Sequence, residues 1–264
     1  METLNELSKL GAGERAQYIF IIMAFVFMVF SMLGWVMEVF FRRFVSAKKW
    51  INPGFLKGPC LPIYGLGVVA LISYVFIMSS FKDSFKSDIL FDIVIVLGIG
   101  ILMTLDELIG GLIFIRGMNI RLWDYSNCKF NYKGVICLEF SIIWTILGAV
   151  FYFFLFDPIC MFIVKFLSLN WLIIAIFLMG MFYGIFIIDL VESLGVVNKI
   201  KLYAKENNIV LKMEKFKLYL REKVAPKESK FLEPFKAVLP LKEHIKSFVK
   251  EQGDKIEKRK EAKK

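Results

Sequence analysis

Hydrophobic and polar residues along this chain segregate into long blocks instead of alternating at short intervals. Five blocks, at 18–41, 61–79, 89–114, 135–156 and 171–190, run for roughly 20 residues each with few charges. An α-helix rises about 1.5 Å per residue, so each block is long enough to cross a hydrocarbon core of about 30 Å. The pattern predicts an all-α fold, a polytopic membrane helical bundle of about five transmembrane helices. Between the fourth and fifth blocks, "DPICMFIVKFLSLN" (157–170) is apolar, but its uncharged run is too short to span and it carries Lys165. It is expected as an interfacial or re-entrant segment beginning at Pro158, with a sixth span as the competing reading.

Beyond the last block the period changes. Leu202, Ile209, Met213, Phe216 and Leu220 recur mostly at spacings of three, four or seven with Lys and Glu between them, which predicts an amphipathic helix from Lys201. Pro226, Pro234 and Pro240 interrupt the chain, a second amphipathic piece is expected over 241–249, and the terminus is a highly charged run. Packing on the bilayer face and docking on a partner both fit the first amphipathic piece. The expected organisation is a short extracytoplasmic arm (1–16), a transmembrane bundle (17–192) and a basic amphipathic cytoplasmic tail (193–264). The first block is too long for a signal-peptide core and lacks a small-residue cleavage pattern, so it is expected to stay as a span.

Composition agrees with a membrane protein: 58% of residues are hydrophobic and 28 are Phe, far beyond what a soluble core requires. Charge then orients the bundle. The segment after block one holds Arg42, Arg43, Lys48, Lys49 and Lys57; the one after block three holds Arg116, Arg121, Lys129 and Lys133 against Asp124 alone; the tail is strongly basic. Lys and Arg in short loops mark the cytoplasmic side, which predicts an outside N-terminus, a cytoplasmic C-terminus and a multi-pass protein of the cell membrane. The formal net charge of +10 is thereby explained by attraction to anionic lipids beside the bilayer, and no nucleic-acid recognition motif accompanies it.

Six carboxylates lie in or beside the expected spans: Glu38, Asp106, Glu107, Glu139, Asp189 and Glu192. A charge facing lipid is costly, so these should face one another, a base or water. One reading is a polar vestibule, with Glu38 and Glu107 on adjacent helices binding a cation or head group or relaying protons. The other is a helix lock, in which each acid pairs with a loop arginine such as Arg42, Arg116 or Arg121. Two turn-rich stretches follow Glu38 and Glu107. Asn52, Pro53, Gly54, Gly58, Pro59 and Pro62 form the first, Asn131 and Gly134 the second, and they read as structural elbows or as gating loops. Glu38 with Glu107, Asn52 with Asn131 and Gly54 with Gly134 line up as a parallel repeat of helical hairpins. Trp123, Asp124, Tyr125 and Ser126 gather just before the fourth block, where they could cover the cytoplasmic mouth or meet lipid head groups. Trp35 and Trp50 are expected as interfacial anchors.

Other chemistry finds no motif. Cys60, Cys128, Cys137 and Cys160 lack paired metal-ligand spacing, His244 is the single histidine, and no G-x-x-x-x-G-K-[ST] loop is present. No cofactor and no intrinsic ATPase or catalytic activity is expected. Gly180 and Gly184 have the spacing that lets another helix approach closely.

The stretches "GWVMEVFFRR", "INPGFLKGPCLPIYGLG", "LDELIGGLIF" and "LWDYSNCKFNYKGVICLEFSIIWTILG" resemble the bacterial membrane family of ABC-transporter type IV permeases, over roughly residues 30–156. The resemblance implies a permease served by a separate cytoplasmic ATPase or another membrane subunit. Glu38, Asn52, Gly54, Gly58, Pro62, Gly65, Glu107, Trp123, Asp124, Tyr125, Ser126, Asn131 and Gly134 stand at family-like positions. Beside a transport component, two alternatives are open: a scaffold recruiting partners through its basic tail, and a lipid-acting enzyme. A homo-oligomer is compatible with the transport reading, since five helices are few for a complete path.

Overall fold

The computed structural model describes residues 11–166, 171–207, 209–220 and 243–251. Helix α1 (Ala12–Phe41) runs into a wide π-turn, Arg42–Ser46; α2 is Pro62–Ser79; α3 (Asp88–Leu112) runs into a second π-turn, Ile113–Gly117. Then come α4 (Leu138–Val150), a third π-turn (Phe151–Leu155), α5 (Phe156–Phe166), α6 (Leu172–Glu206), α7 (Met213–Tyr219) and α8 (243–251). Among the described residues strand is limited to two short pairs: β1 (Ile120–Arg121) parallel to β4 (Leu211–Lys212), and β2 (Asn131–Tyr132) antiparallel to β3 (Ile136–Cys137). The fold is all-α, and five helical runs are long and apolar enough to cross a membrane: Ala12–Ser46, Pro62–Ser79, Asp88–Gly117, Leu138–Ile163 and Leu172–Glu206.

Two expectations are corrected. Residues 157–170 do not start a separate segment at Pro158, because α4, its π-turn and α5 continue one another from Leu138 to Phe166. A proline cannot donate to the carbonyl four residues back and its ring crowds that oxygen. The π-turn at Phe151–Leu155 widens the ladder where that carbonyl, of Phe154, lies, and the helix passes Pro158. Residues 167–170 lie outside the described ones.

The tail, secondly, is not one amphipathic helix from Lys201. Helix α6 carries on through Glu192 to Glu206, and Asn207 then closes it, its side-chain amide donating to the Tyr203 carbonyl at 2.8 Å. The chain pairs briefly as β4 before α7 begins. The anticipated apolar face is therefore split: Leu202 is 64% exposed, whereas Met213, Phe216 and Leu220 are buried. Pro226, Pro234, Pro240 and the charged terminus lie outside the described residues.

The chain forms two compact units. The first draws on the described residues of Met1–Gly34, Cys60–Ile109 and Tyr125–Ile187. Its centre is Val26, Ile72, Ile95, Ile99 and Ala175, all nearly inaccessible, while outward residues such as Phe20, Ile89 and Ile173 are widely exposed, as lipid-facing positions should be. Lipid tails are as apolar as these side chains, so close packing holds the helices. At Gly65, a Cβ would stand 2.7 Å from the Phe27 carbonyl oxygen, so α2 needs glycine there to approach α1. Around Gly180 and Gly184 a Cβ would meet nothing within 4 Å, so no described part of this chain uses that spacing. The Leu61 N–H, unable to bond within α2, donates to the Ser31 carbonyl at 2.9 Å, and Pro62 sits harmlessly in the first turn.

The second unit draws on Trp35–Pro59, Gly110–Asp124 and the described residues of Ile188–Lys264. Its core joins Ile120, Val197 and Ile200 to Leu211, Phe216 and Ile245. Met213, Phe216 and Leu220 of the tail are thus spent inside this unit.

Candidate functional site

The densest polar network lies in the second unit, around the first elbow. Asn52, 2% exposed, uses its whole amide. Its Oδ1 accepts the Trp35 indole N–H at 2.7 Å, and its Nδ2 donates to the carbonyls of Leu56 (3.2 Å) and Lys57 (2.7 Å). Trp35, read as a lipid anchor, serves here as a hydrogen-bond donor. Pro53 is buried next to it, and Gly54 turns the chain at φ 69°, in the left-handed region that costs other residues energy.

Two other elements grip the elbow. From α6, Asp189 accepts the N–H groups of Lys57 (3.0 Å) and Gly58 (2.8 Å), and Ser193, one turn later, donates to the same carboxylate at 2.9 Å. A Cβ on Gly58 would press to 3.1 Å from Asp189 Oδ2. Glu192 pairs with the Lys57 ammonium at 2.6 Å from an exposed position. From α7, Lys217, 3% exposed, donates from Nζ to the carbonyls of Asn52 (3.0 Å) and Gly54 (2.8 Å). Burial brings its ammonium down to about 7, the neighbouring Arg42 guanidinium acts in the same direction, and Asp189 opposes them.

Arg42 itself is buried at the end of α1. Its Nη2 lies 3.0 Å from Glu38 Oε1, and its Nη1 donates to Glu214 of α7. Elsewhere in this unit Asp124 bridges Arg121, at 3.0 Å, and Lys212, so the segment after α3 and the strand before α7 share one carboxylate. Arg116 is exposed and pairs with no carboxylate among the described residues. Trp123 is half-buried.

In the first unit, the second elbow is joined to α3 and α4 through Tyr125. The Tyr125 N–H donates to the Gly134 carbonyl at 2.9 Å, its ring stacks on Phe140 at 4.4 Å, and its hydroxyl donates to Glu107 Oε1 at 2.7 Å. Asn131, exposed, accepts the Gly134 N–H at 3.0 Å and donates to the Cys128 carbonyl at 2.8 Å, and Gly134 has φ 65°. Asp106 faces Gly67, where a Cβ would stand 3.3 Å from its Oδ2. Ser126, Glu139 and Pro59 are exposed.

Of the six expected acids, Glu38 shares a unit with Asp189 and Glu192, while Asp106, Glu107 and Glu139 fall in the other. Of the expected arginine pairings, Glu38 with Arg42 is present, and Glu107 accepts from a tyrosine hydroxyl. Lys217, Glu214 and Ser193 were not anticipated. Lys217 carried a signal: it lies four residues after Met213 and three before Leu220, on the apolar stripe of its helix, where a lysine is out of place unless bonded. Chemically the network ties the middle of α6 and the side of α7 to the loop after α1. Among the described residues no cluster of His, Cys, Asp and Glu is placed to hold a metal ion.

No curated protein and no solved structure matches the chain. The family described as "Putative ABC-transporter type IV" matches residues 25–194, well beyond the stretch in which the resemblance was legible and far enough to include Asp189 and Glu192. With that match over more than half of its length and five membrane-crossing helices, this multi-pass membrane protein belongs to the ABC-transporter type IV family.

Proposed function

We propose that the chain is the permease component of a transport system in the cell membrane, energised by a separate cytoplasmic ATPase. The observation that carries this reading is the family match across 25–194, which takes in all five spans, at least in part. The sequence holds no phosphate-binding loop of its own. Basic residues in the segments after α1 and α3 and after Glu192 support an outside N-terminus and a cytoplasmic tail.

In this reading the network around the first elbow is the coupling point. A displacement imposed on α7 must move Lys217, and through it the elbow that leads into α2. The polar groups then act as a helix lock and force relay, and not as a solute-binding vestibule. The scaffold alternative is disfavoured because the tail face it would present, with Met213, Phe216 and Leu220, is already buried.

Crosslinking of the full chain in native membranes tests the proposal. Stoichiometric capture of a cytoplasmic ATPase, followed by ATP-dependent solute movement in co-reconstituted vesicles, is the expected result. Capture of only a regulator or an unrelated membrane protein would overturn it.

A further inference from the structure

We propose that the turn closing α1 is a headgroup site for an anionic phospholipid. This inference does not depend on the transport reading, because lipid binding is measured without transport.

The apolar run of α1 ends at Phe41, and the next two residues are arginines with different fates. Arg42 is buried between two carboxylates. Arg43 turns the other way. After the π-turn the chain reverses through Lys48, at φ 56°, and the reversal is tied twice: Arg43 Nη1 donates to the Lys48 carbonyl at 2.7 Å, and Lys48 Nζ donates to the Phe44 carbonyl. A left-handed non-glycine residue is held only where its surroundings require it.

The reversal brings Trp50 back against the last apolar turn of the helix, 5.8 Å from Phe40 and 6.2 Å from Phe44, and those two phenyl rings stack at 6.1 Å. The Arg43 guanidinium lies over this platform, 5.7 Å from the Trp50 ring and 5.9 Å from the Phe44 ring. Phe40, Phe44 and Trp50 remain 50%, 61% and 41% exposed. Such a surface is unfavourable in water and suited to the boundary between acyl chains and head groups, where amphipathic rings collect.

Among the described residues no carboxylate pairs with Arg43 or Lys48, so their charge is open to an external anion. A phosphodiester matches the planar guanidinium fork, and acyl chains match the rings beneath it. Net negative lipid is preferred because a zwitterionic headgroup brings its own cation to a site that already holds two.

Native mass spectrometry of the full chain in mild detergent, titrated with phosphatidylglycerol or phosphatidylcholine, tests this. Each base near a headgroup is worth about fivefold in affinity, so Arg43→Gln with Lys48→Gln should lower phosphatidylglycerol binding on the order of tenfold or more. Arg43→Lys should recover part of it, and Lys82→Gln should change nothing. Lys48→Gln alone carries the test if the double variant fails to fold. Undiminished phosphatidylglycerol binding in the variants, equal binding of both lipids by the unaltered chain, or displacement by millimolar inorganic phosphate would overturn the proposal.

Discussion

The two elbows are built from the same parts and held in different ways. Each follows a helix that carries a glutamate and ends in a five-residue π-turn; each then passes non-glycine positive φ (Lys48 alone in the first, Asn119, Phe130 and Lys133 in the second), an asparagine and a left-handed glycine. In the first, Asn52 is buried and bonded to Trp35, while Lys217 and Asp189 reach in from 165 and more than 130 residues away. In the second, Asn131 is exposed and its bonds stay within five residues. Similar local grammar therefore yields an asparagine bonded to distant elements in one place and an asparagine bonded within its own hairpin in the other. The difference lies in what reaches each asparagine and glycine: Lys217 of the tail bonds to the first pair, whereas in the second segment the tail meets Asn119, Ile120, Arg121 and Asp124, ahead of Asn131.

The arginines should separate the elbows most. Arg42→Ala leaves Glu38 and Glu214 without their buried cation, and breaking such a pair costs about 3–5 kcal/mol. Arg116→Ala removes an exposed side chain and should stay within about 0.5 kcal/mol. Unfolding in mixed detergent micelles, compared between the two variants, reads this directly. Equal losses would mean that the second elbow is as deeply tied as the first.

The asparagines come next. Asn52→Ala removes the partner of the Trp35 indole N–H and of two carbonyls, of which the bond to Leu56 is buried, and a loss of about 2–4 kcal/mol is expected. At Asn131 water replaces the side chain, and the loss should be about 1 kcal/mol or less. The same pair of unfolding measurements checks it. A matched loss at both sites would remove the distinction drawn here.

These contrasts show which parts of the molecule were readable in advance. Apolar blocks of 20 residues announce membrane helices because hydrocarbon thickness fixes their length, but helix ends outside the bilayer obey no such rule. Helix α6 therefore continues through charged residues to Glu206, where a boundary at 192 was expected. Glycines at 54 and 134 were legible as turns because positive φ is a local demand. The partners of Asn52 were not, since nothing local specifies that residue 217 will find residue 52. The lysine on an apolar stripe was the one visible trace. Tyr125 stands out in the sequence by its polar neighbours, but its bond to Glu107 depends on a hairpin whose register only the fold sets.

Titration of Lys217 sharpens the comparison in a different way, because the neutral amine still donates to both carbonyls and only the charge is removed. Its folded value, about 7, lies below the 10.5 of a free lysine. Below pH 7 the ammonium is charged in folded and unfolded chains alike and its burial penalty is fully present. Between about 7 and 10.5 only the unfolded chain holds the proton, so this group makes stability rise with pH across that window and level off above it. Subtracting the Lys217→Met profile from that of the unaltered chain isolates the rise. A flat or falling difference would show that the lysine is not desolvated, and would weaken the staple.

The smallest effect is a test of sameness. Gly54 and Gly134 have φ values of 69° and 65°, so an added Cβ meets the same backbone penalty of about 1–2 kcal/mol at each. If the elbows differ only in what grips them, Gly54→Ala and Gly134→Ala should lose similar stability wherever the loop cannot shift, since the penalty is set by the chain's own carbonyl and not by distant partners. The first elbow adds a constraint: the Gly54 carbonyl accepts from Lys217, so relaxing φ would lengthen that bond. Gly54→Ala is therefore expected to lose slightly more, and Gly54→Ala with Lys217→Met to lose less than the sum of the two changes. Strict additivity would mean that strain at the glycine is not transmitted to the tail, and the coupling assigned to this elbow would lose its mechanical basis.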